Sequence, residues 1–207
     1  MTAKTMTRDT ETASRADLKL RGVHHLALNT GDMAMTTDFY VRVLGMRLVH
    51  GLVTAEGAAA RAAARGNPPF DCIRHYFFDM GGDSLLAFFE MPKGTARGDR
   101  NALATMQHVA FATSAEHFDT LLDRVKAHGV AIISGPLLSV PPTTWSFYFF
   151  DPNGIRLEIC TDKGARTGQP LDVIGSCRMS RAELRRELET LSSDPAWIET
   201  ILASIPE

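Results

Sequence analysis

The sequence lacks the features that would place it with membrane, nucleic-acid-binding or disulfide-stabilised proteins. No apolar run approaches the ~20 residues of a membrane-spanning helix, and residues 1–17 lack the apolar segment of a secretory signal. The net charge at pH 7 is −2, which provides no basic excess for nucleic acid or an anionic membrane. The three cysteines show no CxxC spacing and read as reduced thiols. We therefore expect a cytoplasmic protein that binds neither nucleic acid nor membranes.

Two short stretches that read alike organise the rest of the chain. They are HLAL at residues 25–28 and HVAF at residues 108–111. In each, the large apolar side chains alternate with a histidine and an alanine, which predicts a strand with one packed face. The small alanines leave the histidines room to reach into a cavity on the other face.

These stretches belong to a longer internal repeat. A motif YFFD occurs at 76–79 and again at 148–151, and its two copies are closer together than His25 and His108 are. The difference indicates an insertion in the first copy, within its Ala- and Arg-rich segment. The predicted organisation is a disordered lead-in at 1–17, a βαβββ module at 18–95 with an insertion at about 53–70, a second module at 104–163, and a C-terminal linker and helices at 164–207.

Turn and capping residues predict where the elements of each module begin and end. In the first module we expect strands at 21–29, 46–52, 73–79 and 84–90, with a helix from its N-cap Asp32 to Leu44. In the second we expect strands at 106–113, 130–134, 145–150 and 155–160, a helix at 115–127 and a loop at 136–142. The tail contains the capping-box pattern SRAE at 180–183, which predicts a helix to about residue 191, and Asp194-Pro195, which predicts another.

A carboxylate near the end of the second module is the first sign of a metal site. Glu158 lies between Leu157 and Ile159, and a lone carboxylate on a packed strand is anomalous unless its face is polar or holds a cation. Two imidazoles and one carboxylate, here His25, His108 and Glu158, form the facial triad typical of divalent first-row metals.

A second glutamate, Glu90, closes the first module much as Glu158 closes the second. It follows its YFFD motif at a greater distance than Glu158 does, and the two distances differ by an even number of positions. An even difference keeps the same strand face, so this alignment predicts that Glu90 also points inward. Leu86 and Phe88 compete for the ligand position, which makes Glu90 a weaker ligand than the other three residues.

Four segments in order resemble the vicinal oxygen chelate superfamily, which includes glyoxalase I, extradiol dioxygenases and fosfomycin-resistance proteins. They are GVHHLALNTGD (22–32), DFYVRVLGMRLV (38–49), MQHVAFAT (106–113) and SFYFFDPNGIRLEI (146–159). The resemblance implies an α+β fold in which paired βαβββ modules form a cup-shaped, incompletely closed β-barrel, with a C-terminal helical extension. It maps the family's ligands onto His25, His108 and Glu158, with Glu90 as a glyoxalase-like fourth. It also implies a homodimer, although two modules in one chain allow the cup to form within a subunit.

The same resemblance implies a substrate that binds a divalent metal ion through two adjacent oxygens. With Fe(II), the favoured metal, this gives extradiol ring cleavage, and Tyr148 resembles a tyrosine that hydrogen-bonds a substrate oxygen in those enzymes. Their acid–base histidine has no counterpart between Glu90 and His108, and Ser139 and Thr143 stand where another polar group is expected. With Ni(II), Zn(II) or Co(II), a glyoxalase-like lyase or epimerase with Glu90 as catalytic base is the alternative, and Mn(II) is a further candidate metal. A metal-free small-molecule-binding or resistance protein is the third possibility.

Overall fold

The computed structural model describes residues 20, 22–53, 74–140, 144–162, 173–177 and 179–204. The predicted lead-in, the predicted insertion and Thr143 lie outside these residues, apart from the first residue of the insertion, Val53. The chain divides into two compact units, one of residues 23–176 and one that joins residues 1–22 to 177–207. Among the described helices, none combines the length and apolar character needed to cross a bilayer.

The first module is a four-stranded sheet with one helix. Asp32 caps the helix by accepting a hydrogen bond from the backbone N–H of Met35 at 3.0 Å. The helix ends in a π-helical turn, where the sequence pattern predicts a regular helix. The elements are β1 (His25–Thr30), α1 (Met33–Asp38), the π-helical turn (Phe39–Val43), β2 (Arg47–Val53), β3 (Arg74–Asp79) and β4 (Leu85–Glu90). The strand order is β1-β4-β3-β2, with β1 parallel to β4 and the other pairs antiparallel.

The second module repeats this topology with the order β5-β8-β7-β6. Its helix has the bounds that the sequence predicts. The elements are β5 (Val109–Ala112), α2 (Ala115–Ala127), β6 (Ile132–Val140), β7 (Thr144–Phe150) and β8 (Arg156–Asp162), and a short helix, α3 (Val173–Ser176), follows. The predicted α+β class with paired βαβββ modules is confirmed.

The segment that contains Pro136 differs from its prediction. We expected a strand at 130–134 and then a loop, but β6 runs from Ile132 to Val140 through a cis peptide bond between Gly135 and Pro136. Proline lacks a backbone N–H and is tolerated in a strand only at an edge or a bulge. β6 is the outer strand of its sheet, and its pairing with β7 shifts register at three places.

The aromatic side chains on the helix-covered face of each sheet form the core. Tyr40 packs on Phe88 and Phe78, with ring centroids 4.9 and 5.8 Å away, and all three side chains are fully buried. In the second module, Phe118 of α2 packs on Phe147 at 5.2 Å. These residues belong to one hydrophobic cluster, which therefore joins the two modules.

A buried polar network also joins the modules, through the turn between β7 and β8. The hydroxyl of Tyr40 donates to Asp151 at 3.1 Å, and burial raises the pKa of both groups. The amide of Asn153 accepts a hydrogen bond from Thr30 at 2.8 Å and donates one to Thr36 at 3.0 Å. Each residue that the first module contributes lies on the side of its sheet that carries the helix.

The C-terminal helices form a hairpin within their own unit. They are α4 (Arg181–Leu191) and α5 (Pro195–Ala203). The predicted capping box is present, since Ser180 and Glu183 satisfy each other's backbone N–H groups, and Asp194 caps α5. Arg181 donates to the carbonyl of Leu202 at 2.7 Å.

Candidate metal centre

Strand pairing in the second module brings together the face that carries Glu158. Ala110 of β5 and Tyr148 of β7 lie directly opposite Glu158 of β8. The neighbouring residues Leu157 and Ile159 are buried on the other face, in the hydrophobic core. Because successive side chains of a strand alternate between faces, Glu158 and Tyr148 share the face opposite to the core.

His108, the residue immediately before β5, lies beside Glu158. Its Nε2 is 3.0 Å from Glu158 Oε2. Its Nδ1 contacts the side-chain oxygen of Gln107, which engages that nitrogen and leaves Nε2 directed to the carboxylate. Glu158 is only 7% exposed. The arrangement is a buried carboxylate whose neighbour is an oriented imidazole.

Tyr148 completes this side of the site. Burial raises the pKa of Tyr148, and a hydrogen bond with Glu158 raises it further. The guanidinium of Arg156 lies 4.5 Å from the centroid of the Tyr148 ring, a cation–π contact. The His108 ring stands edge-on to the phenol, with centroids 6.1 Å apart.

Two serines lie on the other side of the phenol. Ser139 and Ser146 share a hydrogen bond of 2.6 Å, and Ser139 donates to the backbone carbonyl of Thr144 at 3.2 Å. Their hydrogen bonds lower the pKa of Tyr148 and so partly offset the effects of burial and of Glu158. Ser139, one of the two residues that stand where the sequence predicts another polar group, therefore lies beside Tyr148.

His25 lies on the first sheet, apart from this pair. It is exposed, its Nδ1 is 3.0 Å from Nδ1 of His24, and its ring is 5.8 Å from that of Phe77. Within the described ranges, no three His, Cys, Asp or Glu side chains lie close enough together to hold a metal ion. The single chain therefore brings His108, Glu158 and Tyr148 together but does not bring His25 to them.

Glu90 lies on the opposite face of its sheet from His25. It pairs with Thr30, accepts a hydrogen bond from the backbone N–H of Met33 at 2.9 Å, and forms an ion pair with Arg74 at 3.2 Å. The expectation that its side chain shares the histidine face is thus corrected. These contacts tie the carboxylate to the start of α1.

Strand register explains this correction. His25 is opposite Leu85, whereas Val109, the residue after His108, is opposite Leu157. When the two histidines are superposed, the counterpart of Glu158 in the first module is therefore Ala87. Glu90 lies an odd number of positions beyond Ala87, and such a shift moves a side chain to the other face of the sheet.

Two functional neighbours were missed at the sequence level. Arg156 lies two residues before Glu158, so the period of a strand already places it on the same face. Gln107 lies next to His108, and adjacent residues of a regular strand point to opposite faces. Its contact is possible because regular pairing of β5 begins only at Val109.

The residues of the second module fit a divalent metal ion. A carboxylate removed from water requires a cation or hydrogen-bond donors. Here Glu158 faces an imidazole nitrogen whose ring is oriented through its other nitrogen, the usual second contact of a metal-bound histidine. Nitrogen and oxygen donors of this kind suit Fe(II), Zn(II), Ni(II), Co(II) and Mn(II).

Comparison with known proteins identifies a matching family model and two similar sequences. Residues 22–159 match the model of the Glyoxalase/Bleomycin resistance protein/Dioxygenase superfamily. The uncharacterized protein YwkD of Bacillus subtilis is 26% identical over 143 residues, covering 68% of this chain and 96% of YwkD. YaeR of Escherichia coli, also uncharacterized, is 27% identical over 144 residues, covering 69% of this chain and 97% of YaeR.

A solved structure has the same fold. The crystal structure of a glyoxalase/dioxygenase from Nostoc punctiforme aligns with a TM-score of 0.54 and 25% identity, covering 75% of this chain and 99% of that one. The family match covers both βαβββ modules and ends just after Glu158. The chain therefore belongs to the Glyoxalase/Bleomycin resistance protein/Dioxygenase superfamily.

Proposed function

We propose that this protein is a divalent-metal-dependent enzyme that binds a small molecule through two adjacent oxygens, with extradiol-type ring cleavage as the reaction and Fe(II) as the metal. The observation that carries the proposal is the cluster of His108, Glu158 and Tyr148 on one sheet face. An imidazole and a carboxylate are metal ligands, and a phenol beside them is a hydrogen-bonding group for a substrate oxygen.

Each residue of the cluster has a distinct role in this proposal. His108 and Glu158 would hold the metal, which supplies Lewis acidity at the substrate oxygens when bound. Tyr148 is kept protonated, because burial and Glu158 raise its pKa, and a protonated phenol can donate to a substrate oxygenate. Arg156 and the serine pair hold the phenol at this position.

The third ligand, His25, would come from a second copy of the chain. It lies apart from His108 and Glu158 within one chain, which leaves each sheet with an incomplete ligand set. All seven residues of the outer strand β2 are exposed, including Leu48, Val49 and Leu52. Exposed apolar edge strands favour association. A homodimer in which His25 of the partner subunit meets His108 and Glu158 accounts for both observations.

The glyoxalase-like alternative depends on Glu90, as fourth ligand and as base. The hydrogen bond from Met33 and the ion pair with Arg74 engage this carboxylate on the helix side of the sheet. The ring-cleaving proposal needs no ligand from Glu90. For this reason it is the one that the geometry supports best.

Metal analysis of anaerobically purified protein tests the proposal. We expect one iron per protomer in the wild type and in Glu90→Ala, and none in His108→Ala. His117→Ala is the matched control, because His117 is an exposed histidine of α2. The iron-loaded wild type should then consume oxygen when catechols are added.

Other outcomes would separate the alternatives. Nickel, zinc or cobalt that is lost from Glu90→Ala would favour the four-ligand lyase or epimerase. Full metal retention in His108→Ala would contradict the site itself. A wild type without any metal, together with unchanged ligand binding by His108→Ala, would favour a metal-free binding protein.

A further inference from the structure

An aromatic cluster surrounds Phe77 on the His25 face of the first sheet. It consists of His25, His50, His75, Phe77 and Phe89, and we call it the Phe77 cluster. The rings of His25, His50 and His75 have their centroids 5.8, 5.6 and 4.2 Å from that of Phe77. His75 also stacks on Phe89, with centroids 3.7 Å apart and planes 15° from parallel.

His75 is the unusual member of this cluster. Its residue is 9% exposed, and its Nε2 is one of three buried side-chain polar atoms without a hydrogen-bond partner in the described parts of the chain. A buried polar atom without a partner costs free energy, and in native structures it calls for a specific explanation. Packing alone does not provide one, because a phenylalanine would fill the same space without that cost.

The imidazole is also neutral at physiological pH. Burial lowers the pKa of His75 to about 4, and the nearby His25 and His50 lower it too. A neutral imidazole has one nitrogen that donates and one that accepts. Nε2 is thus available for one hydrogen bond of either kind, without the desolvation cost of a charge.

Internal symmetry places His75 at a position that is polar in both modules. When the two modules are superposed so that Ala87 corresponds to Glu158, Phe77 corresponds to Tyr148 and His75 corresponds to Ser146. In the second module Ser146 lies beside the phenol and is bonded to Ser139. In the first module the corresponding nitrogen has no partner, so a molecule from outside the chain could supply one.

We propose that His75 is a substrate-recognition residue, whose Nε2 hydrogen-bonds a polar substituent of a planar aromatic molecule that lies against Phe77. This inference rests on the proposed function, in which His25 is a metal ligand. The His25 ring also contacts Phe77, so a molecule that lies against Phe77 would reach a metal held by His25. Phe89, which stacks on His75, is only partly buried, so a molecule that lies against Phe77 would reach Nε2 by displacing the Phe89 ring. His75 then determines which substituted ring the site accepts.

The experiment follows the nitrogen directly by NMR. Histidine ring nitrogens of ¹⁵N-labelled protein are recorded while 4-nitrocatechol is added, once to metal-free and once to zinc-loaded protein. Zinc avoids both paramagnetism and turnover. We expect the Nε2 resonance of His75 to shift on addition of the probe in the zinc-loaded protein.

Variants supply the second readout, the dissociation constant of 4-nitrocatechol. The loss of one hydrogen bond should weaken binding about tenfold in His75→Phe, and His75→Gln should recover part of the affinity. His117→Phe is the matched control, since His117 is an exposed histidine of α2, outside the Phe77 cluster. It should leave the affinity unchanged.

The outcomes distinguish this inference from the proposed function. If zinc binds but the His75 resonance does not shift, or if His75→Phe folds and binds the probe as the wild type does, the inference is overturned and the metal site stands. An equal loss in His117→Phe also overturns it. If neither Fe(II) nor zinc binds, the proposed function fails, and the metal-free titration decides: a His75 shift supports the recognition role and its absence overturns it.

Discussion

Mixing two defective variants should restore metal binding if the site is shared between two subunits. His25→Ala keeps His108 and Glu158 intact, whereas His108→Ala keeps His25. In a heterodimer of the two, one of the two sites has all three native ligands and the other lacks both histidines. Random reassociation of an equal mixture makes half of the dimers heterodimers, so about a quarter of the wild-type sites should return.

A reciprocal mixture distinguishes shared sites from sites built within one chain by the amount of metal that is retained. When wild type is mixed with the double variant His25→Ala/His108→Ala, each site of a heterodimer lacks one histidine. About a quarter of the wild-type metal should then remain if the sites are shared. If each chain builds its own site, about half should remain, and the first mixture should show no gain.

The assay is metal content per protomer after gel filtration, with heterodimer formation verified by a size-distinct tag on one variant. Subunits must exchange before metal is added, because bound metal would hold the original pairs together. The shared site would be refuted if the heterodimers recover no metal and the reciprocal mixture keeps half of the wild-type metal. That result would favour a site built within one chain.

Three further predictions concern stability. Tyr40→Phe removes the hydroxyl that donates to buried Asp151 and should lower the free energy of unfolding by about 1–3 kcal/mol in urea titrations; an unchanged value would contradict the role of the network. His75 has its pKa lowered from 6.5 to about 4, so below pH 6.5 the unfolded chain takes up a proton that the folded chain resists. In metal-free protein, His75 should therefore contribute a loss of up to about 3 kcal/mol to the free energy of unfolding as the pH falls from 6.5 to 4, and His75→Phe should show a flatter curve over that range. Ser180→Ala removes the hydroxyl half of the capping box and should weaken amide-exchange protection at the start of α4 by about 1 kcal/mol, whereas Ser192→Ala, beyond the end of that helix, should not.

Much of the fold follows from local patterns in the sequence. The apolar alternation of HLAL and HVAF marks strands, and the stripe of α2 with Gly129 after it gives that helix its bounds. These signals are local, since each depends on residues within a few positions. The sequence wrongly predicts that β6 ends before Pro136, because a proline normally interrupts a ladder. Only the tertiary position of β6 as an outer strand makes Pro136 acceptable there.

The candidate site was only partly predictable, because strand register is not a local property. The repeated YFFD suggests that Tyr76 corresponds to Tyr148, and this alignment predicts the wrong sheet face for Glu90. The pairing of the sheets differs from it by a single position, so Tyr76 corresponds to Phe147 instead. The tyrosines of the two YFFD motifs therefore lie on opposite faces of their sheets. Only the hydrogen-bond pairing distinguishes these alternatives.

The position of His25 depends on a still less local feature, the packing of one module on the other. Tyr40, Thr30 and Thr36 reach Asp151 and Asn153 from the helix side of the first sheet. The ligand face lies on the other side, so these intermodule contacts stabilise the pair without drawing the histidines together. A chain whose modules are joined in this way can be stable while its ligand set is incomplete. In the proposed dimer, metal binding and dimer formation should then be coupled, each increasing the affinity of the other, because that dimer would offer all three ligands to one ion.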